Sequence, residues 1–218
     1  MQKQKSSFDN PLIRIYLWAT ELLYHQLAWA YDLVAWVVSF GYWSRWRMDA
    51  LNYLKKGSVL EMGFGTGSLL IALTELGWDV TGLELSPAMQ RVTRRKLERK
   101  GLDARRVLAN AGSIPFYECA FMNILSTFPS NYIAQEETFR EVRRVLDNGG
   151  RWLILGMSVE FKRGLKRRLT RWFLHDPGGE WIMRFMEKAE SMGFVPRIVQ
   201  HQSPDYSLTI LILEKPDD

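Results

Sequence analysis

An α/β fold with a mostly parallel seven-stranded sheet is predicted by three observations on this sequence. From Gly57 onward, short apolar runs alternate with helical patterns, a succession that calls for a parallel sheet with right-handed crossovers. The last two apolar runs are split by Ser203-Pro204-Asp205, a turn signal that closes the sheet with an antiparallel C-terminal hairpin. Before Gly57, Leu22, Leu23, Leu27, Ala30, Leu33 and Val34 recur at helical spacing, which adds an N-terminal helical layer.

Taken in order, residues 1–10 are polar, and 11–53 are helical and crowded with Trp18, Trp29, Tyr31, Trp36, Phe40, Tyr42, Trp43 and Trp46. Gly41 breaks this region, and 44–54 resumes it until Lys55-Lys56-Gly57 closes it. Residues 1–56 thus read as a helical lid or extension, with two roles open to it: packing on the domain, and touching lipid. Strands are expected at 58–62, 79–84, 105–110, 121–126 and 150–156. Helices are expected between them at 66–76, 87–100 and 133–146, and again at 180–192. The hairpin strands fall at 194–200 and 208–213. This is a Rossmann-like order, and residues 57–218 are long enough to form it as one domain.

The chemistry starts where strand one runs into Glu61-Met62-Gly63-Phe64-Gly65-Thr66-Gly67. Alternate glycines bring backbone close to a ligand, and the helix that follows presents free N–H groups to it. Two cofactor readings compete. The nicotinamide fingerprint Gly-x-Gly-x-x-Gly would place its third glycine at Ser68. Glu61 discriminates between them, because a carboxylate beside the loop repels a pyrophosphate and favours ammonium and sulfonium charges. S-adenosylmethionine carries both positive groups and no phosphate. Glu84 then ends strand two, where its carboxylate can accept the ribose hydroxyls. Leu85 follows it, Ser86-Pro87 caps the next helix, and Met89 lies in its first turn. Asn110 and Ala111 end strand three beside the adenine position. Ser126 and Thr127 end strand four, facing the methionine half and the acceptor.

From Gly57 to the C-terminus the chain resembles class I S-adenosylmethionine-dependent methyltransferases. The carriers are Glu61-x-Gly63-x-Gly65-x-Gly67, Glu84, and the turn Arg144-Val145-Leu146-Asp147-Asn148-Gly149-Gly150 before strand five. Ala30-Tyr31-Asp32 followed by Trp46-Arg47 is similar to the opening segment of the quinone-biosynthesis and phospholipid methyltransferase branch, which implies that Tyr31 lies near the cofactor. Two positions depart from the family pattern. Asn110 stands where Asp is common, at a cost of about 1 kcal/mol or less, because an amide oxygen still accepts from the adenine amine. Met122 stands where the strand-four motif usually has Asp. Thr127-Phe128-Pro129-Ser130 is also unlike the Asp/Asn-Pro-Pro-Tyr loop of enzymes that methylate exocyclic amines of nucleic acid, so a nucleic-acid acceptor is disfavoured.

Composition narrows the partners. The net charge of +5 suits an anionic partner, and hydrophobic and charged contents of 47% and 24% are those of a globular protein. The single cysteine, Cys119, cannot form an internal disulfide, which fits a reducing compartment. No uncharged stretch approaches the ~20 residues of a spanning helix. These features place the chain in the cytoplasm or on the cytoplasmic face of a membrane. A basic amphipathic insertion is expected over about 160–178. There Lys162, Arg163, Lys166, Arg167, Arg168 and Arg171 flank the apolar set Leu165, Leu169, Trp172 and Phe173. Lys166, Arg167, Arg168, Arg171 and Trp172 are the candidates for touching anionic lipid or the acceptor; a solvated face over a packed helix is the competing role. Methyl transfer rests mainly on alignment. Tyr31, Tyr132 and His175 are the candidates for proton transfer, each with packing as the simpler role, and no metal site is read.

The sequence therefore supports an S-adenosylmethionine-dependent methyltransferase acting on a lipidic or small apolar acceptor, a phospholipid amine or a quinone-like ring. A soluble small molecule or RNA as acceptor, and a non-catalytic cofactor-binding protein, are the alternatives.

Overall fold

The computed structural model describes residues 31–163 and 179–217. Helices α1 (Tyr31–Val38) and α2 (Trp43–Ala50) and a 3-10 turn (Leu51–Tyr53) lead into β1 (Val59–Met62). There follow α3 (Ser68–Glu75), β2 (Val80–Glu84), α4 (Pro87–Lys100), β3 (Arg105–Leu108) and β4 (Phe121–Thr127). A second 3-10 turn (Asn131–Ala134) precedes α5 (Glu136–Val145) and β5 (Leu146–Phe161). Helix α6 (Glu180–Ser191) and the hairpin β6 (Val195–Gln202) and β7 (Tyr206–Glu214) complete the chain.

The strands form one sheet in the order β3-β2-β1-β4-β5-β7-β6. The first five pair in parallel, and β7 runs antiparallel to both β5 and β6. The expected architecture is therefore present, hairpin included. Every residue of β1 and β2 is buried, as strands covered on both faces must be.

Alternation along the strands divides the core into two layers. On one face Val59, Val80, Leu125 and Leu153 pack against Trp46 and Ala50 of α2, Leu69, Leu70 and Leu73 of α3, and Leu97 of α4. On the other, Leu60, Ile124 and Trp152 pack against Phe139 and Val142 of α5 and Phe185 of α6. A fully buried leucine or phenylalanine contributes about 1.5–3 kcal/mol, so Trp46, 1% exposed, ties α2 firmly to the sheet. The packing role expected of the N-terminal layer holds for α2. Helix α1 differs: it buries Ala35 and leaves Leu33, Trp36 and Val37 at 62%, 61% and 56% exposure.

Several boundaries move for identifiable reasons. Helix α3 begins at Ser68 rather than 66, because Gly67 adopts φ +71° and cannot enter a right-handed helix. The third strand stops at Leu108, since the Asn110 side-chain oxygen accepts from the Gly112 N–H at 2.9 Å and turns the chain. The helix expected at 133–146 divides at extended Gln135, and Leu146 already belongs to β5. Strand β5 is longer than its expected 150–156 because β7 pairs along it from Arg151↔Glu214 to Phe161↔Tyr206, with a register shift between Leu155 and Ser158. Among the described residues no helix is long and apolar enough to cross a membrane.

Candidate functional site

Strand order reverses between β1 and β4, which places a crevice at the carboxyl ends of these strands, where the glycine loop lies. The glycines of this loop do different work. A Cβ on Gly67 would lie 2.3 Å from Thr93 Cγ2, so this glycine lets the loop pack against α4. A Cβ on Gly65, at φ +56°, would meet nothing within 4 Å. Gly65 therefore faces open space, a cradle that a side chain would fill. Gly65→Ala should cost about 1–2 kcal/mol of stability through its left-handed backbone, yet weaken cofactor binding about tenfold or more by occupying the cradle. Paired thermal melts and calorimetric titrations with S-adenosylhomocysteine check this, and unchanged affinity would remove Gly65 from the site.

Two acids flank the loop. Glu84 is buried; its Oε2 accepts from the Gly65 N–H at 2.9 Å and its Oε1 from the Ser86 N–H at 2.8 Å. These bonds fix the carboxylate plane, and each oxygen keeps a second lone pair for a ribose hydroxyl. Glu61 is 1% exposed, and its Oε2 has no hydrogen-bond partner. Burial pushes its carboxyl up to about 8; the Arg47 charge opposes the rise and the Glu84 charge adds to it. A buried acceptor left unsatisfied is costly and calls for a donor. With the open face of Gly65 and the clamped Glu84, the donor set fits a ribose-bearing cofactor with a cationic tail.

Helix α1 reaches this loop through Asp32. Thr66 Oγ1 donates to Asp32 Oδ1 at 2.6 Å, and the Lys96 ammonium, from α4, donates to Asp32 Oδ2 and, at 3.0 Å, to the Thr66 carbonyl. Burial would raise the Asp32 carboxyl, but the Lys96 and Thr66 hydrogen bonds and the Lys96 and Arg47 charges outweigh it and hold the carboxyl below its ordinary value. The loop carrying Asn110 and Ala111 is pinned as well, because Arg144 donates to the carbonyls of Ile114 and Phe116 at 2.8 and 2.7 Å.

The other expected site residues fall as follows. Met89 and Ala111 are buried beside the strand ends, while Leu85 is 61% exposed at the end of β2. Asn110 is exposed, with one lone pair of its amide oxygen committed to the Gly112 N–H. Thr127 ends β4, half-buried. Ser126 is fully buried, and its hydroxyl accepts from Trp152 Nε1 at 3.0 Å. Tyr132 Oη donates to the Met62 carbonyl at 2.9 Å beneath Gly63, which braces the end of β1. Tyr31 opens α1. Lys166, Arg167, Arg168, Arg171, Trp172 and His175 lie outside the described residues.

The loop after β4 meets an aromatic cluster. Trp43 stacks on Phe128 with centroids 4.0 Å apart, and Trp46 and Phe161 pack behind them. Phe128 holds φ +49°, an uncommon conformation for a bulky residue, immediately after β4. Gly156 makes room for it, since a Cβ there would lie 2.3 Å from the ring. Among the described residues no group of His, Cys, Asp and Glu could hold a metal ion. His201 sits apart on the edge strand β6, 3.1 Å from Tyr53 Oη and 3.4 Å from Asp49 Oδ2.

Asp32, Arg47 and Lys96 went unread as site residues. Asp32 was visible only as the neighbour of Tyr31, Arg47 only as the neighbour of Trp46, and Lys96 sits within a run of cations that reads as a solvated face.

This strand order, with an acid at the end of β2 and a buried acid before the glycine loop, agrees with the fold that the resemblance to S-adenosylmethionine-dependent methyltransferases implies. Residues 59–150 match the family described as methyltransferase domain. Over 139 residues it is 35% identical to a demethylmenaquinone methyltransferase of Thermus thermophilus, covering 61% of this chain and 63% of the relative. Over 162 residues it is 30% identical to a ubiquinone/menaquinone biosynthesis C-methyltransferase of Yersinia enterocolitica, covering 70% and 64%. The chain thus spans slightly under two thirds of the length of each relative. A solved structure of geranyl diphosphate C-methyltransferase from Streptomyces coelicolor, with S-adenosyl-L-homocysteine bound, superposes with a TM-score of 0.57. It shares 16% identity over 79% of both chains, a likeness of fold alone.

Proposed function

We propose that the protein transfers a methyl group from S-adenosylmethionine to a small apolar, ring-bearing acceptor of the quinone type, presented at a membrane surface. The observation that carries this reading is the partly exposed stacked pair of Trp43 and Phe128, just past the carboxyl end of β4, a surface suited to a flat apolar ring. The quinone-biosynthesis names of the two relatives support the same acceptor class. The membrane part draws on α1, whose Leu33, Trp36 and Val37 follow i, i+3, i+4 spacing and are all exposed. In this reading α1 and α2 act as a lid, latched to the cofactor loop by Asp32.

When bound, S-adenosylmethionine supplies an electrophilic methyl on a sulfonium sulfur. An acceptor held in line with it would form its new bond to carbon as the carbon–sulfur bond broke toward sulfur, and would lose its displaced proton to water. An electron-rich ring carbon needs no strong base before attack. The chain's part is alignment: Glu84 would fix the ribose, Glu61 the ammonium end, and the Trp43–Phe128 pair would present a flat face to the acceptor ring. Alignment of this kind supplies roughly 7–11 kcal/mol in well-oriented systems. Incubation with methyl-labelled cofactor and a lipid extract, beside a polar extract and RNA, tests the proposal. Label in the lipid phase is expected. Label confined to the polar or RNA fraction overturns the acceptor class, and cofactor binding without turnover in any fraction favours a non-catalytic role.

A further inference from the structure

Helices α3 and α4 enclose an open surface pocket of about 300 Å³. Its walls are Ser68, Ile71 and Glu75, spaced i, i+3 and i+7 on α3, and Lys96, Arg99 and Lys100, spaced i, i+3 and i+4 on α4. The helical repeat thus turns three cations of one helix toward a hydroxyl, an acid and an apolar side chain of the other. Lys96 Nζ donates to Ser68 Oγ at 3.3 Å and to Asp32 of α1, and Lys100 Nζ donates to Glu75 Oε1 at 2.7 Å. Arg99 is exposed and, among the described residues, forms no ion pair. With Asp32 and Glu75 set against Lys96 and Lys100, the cluster keeps one uncompensated positive charge, on Arg99. A phosphodiester carries one negative charge, and a guanidinium presents paired N–H groups that match two phosphate oxygens. The Lys100–Glu75 pair is about half exposed, so it contributes little and its ammonium is free to turn toward the same anion.

The kind of phosphodiester follows from the pocket's surroundings. Ser68 Oγ donates to Asp32 Oδ1 at 3.4 Å, so α1 borders the pocket, and Trp36 lies one turn beyond Asp32 on the same side of α1. Trp36 is exposed, as are Leu33 and Val37 beside it. A cationic pocket bordered by an exposed aromatic and aliphatic face meets a charged headgroup and the acyl carbons beneath it together. A nucleic-acid backbone supplies the same phosphate but no apolar layer to cover those side chains.

We propose that the pocket between α3 and α4 binds the phosphate of an anionic phospholipid headgroup, with Arg99 as its main ligand, while α1 rests its apolar face in the same lipid surface. The inference rests on the membrane part of the proposed function. Because Asp32 and Lys96 also hold Thr66, the headgroup site adjoins the cofactor loop.

Co-sedimentation of the full chain with vesicles of phosphatidylcholine alone, and of equal parts phosphatidylcholine and phosphatidylglycerol, tests this. The wild type should bind the mixed vesicles about 10-fold or more tightly than the neutral ones. Arg99→Gln should lose about 5-fold on mixed vesicles and stay within about twofold on neutral ones. Arg140→Gln removes the same charge from α5, across the sheet, and should stay within about twofold on both. Trp36→Ser should weaken binding to both vesicles. All three side chains are exposed, so the variants keep the fold. A wild type that binds neither vesicle overturns the membrane reading and the lipid site with it. Binding without preference for mixed vesicles, or equal losses in Arg99→Gln and Arg140→Gln, overturns the pocket and leaves the membrane reading standing. Release from mixed vesicles by inorganic phosphate or a short RNA, at matched ionic strength, overturns the lipid as occupant.

Discussion

Glu84→Ala is expected to lower affinity for S-adenosylhomocysteine by about 100-fold or more, the largest loss from any single substitution in the site. Two hydroxyl bonds to a carboxylate are removed, each contributing about 1.5–3 kcal/mol. The same change takes the acceptor away from the Gly65 and Ser86 N–H groups, so the loop loses its shape as well as a ligand contact. Glu84→Gln separates the two effects. It keeps one acceptor oxygen but turns an NH2 toward one of those N–H donors, so it should bind nearly as poorly while losing only part of the stability that Glu84→Ala loses. Titration calorimetry and thermal melts of both variants decide the matter, and affinity within threefold of the wild type would show that the ribose lies elsewhere.

The parts of this molecule legible in the sequence were those governed by short-range rules. The buried runs of β1 and β2, the glycine loop, and the Ser86-Pro87 cap, whose hydroxyl accepts from the Met89 N–H at 3.3 Å, all follow from neighbours within a few residues. Glu84 was legible because a strand end fixes where its last side chain points. Ser126 was not, since strand spacing does not reveal that Trp152, on the next strand, claims its hydroxyl. The true extent of β5 depends on β7, a partner far along the chain. Asp32 and Arg47 belong to this group too. Both sit in a helical layer whose own pattern gives no hint that its charges converge on a loop more than a dozen residues further on.

Glu61 is where the structure alters the chemistry most. Read from the sequence it is a carboxylate awaiting a cation; in the fold it is a buried acid raised from its ordinary 4.5 to about 8, and so holds its proton at neutrality. Cofactor binding near pH 7 should therefore release a proton as the incoming ammonium stabilises the ionised form. Affinity should climb with pH up to about 8 and then level off. Titrations in buffers of different ionisation enthalpy measure that proton directly. Stability of the ligand-free protein should run the other way. Between about 4.5 and 8 the native state keeps a proton that the unfolded chain has lost, so stability falls as pH rises through this window. Glu61→Gln should flatten both profiles. It should also weaken binding about 10–100-fold at pH 8, where the wild-type acid contributes its full charge-assisted bond. A variant that keeps the wild-type pH profile would move the ammonium site, and the cation preference of the whole crevice, away from Glu61.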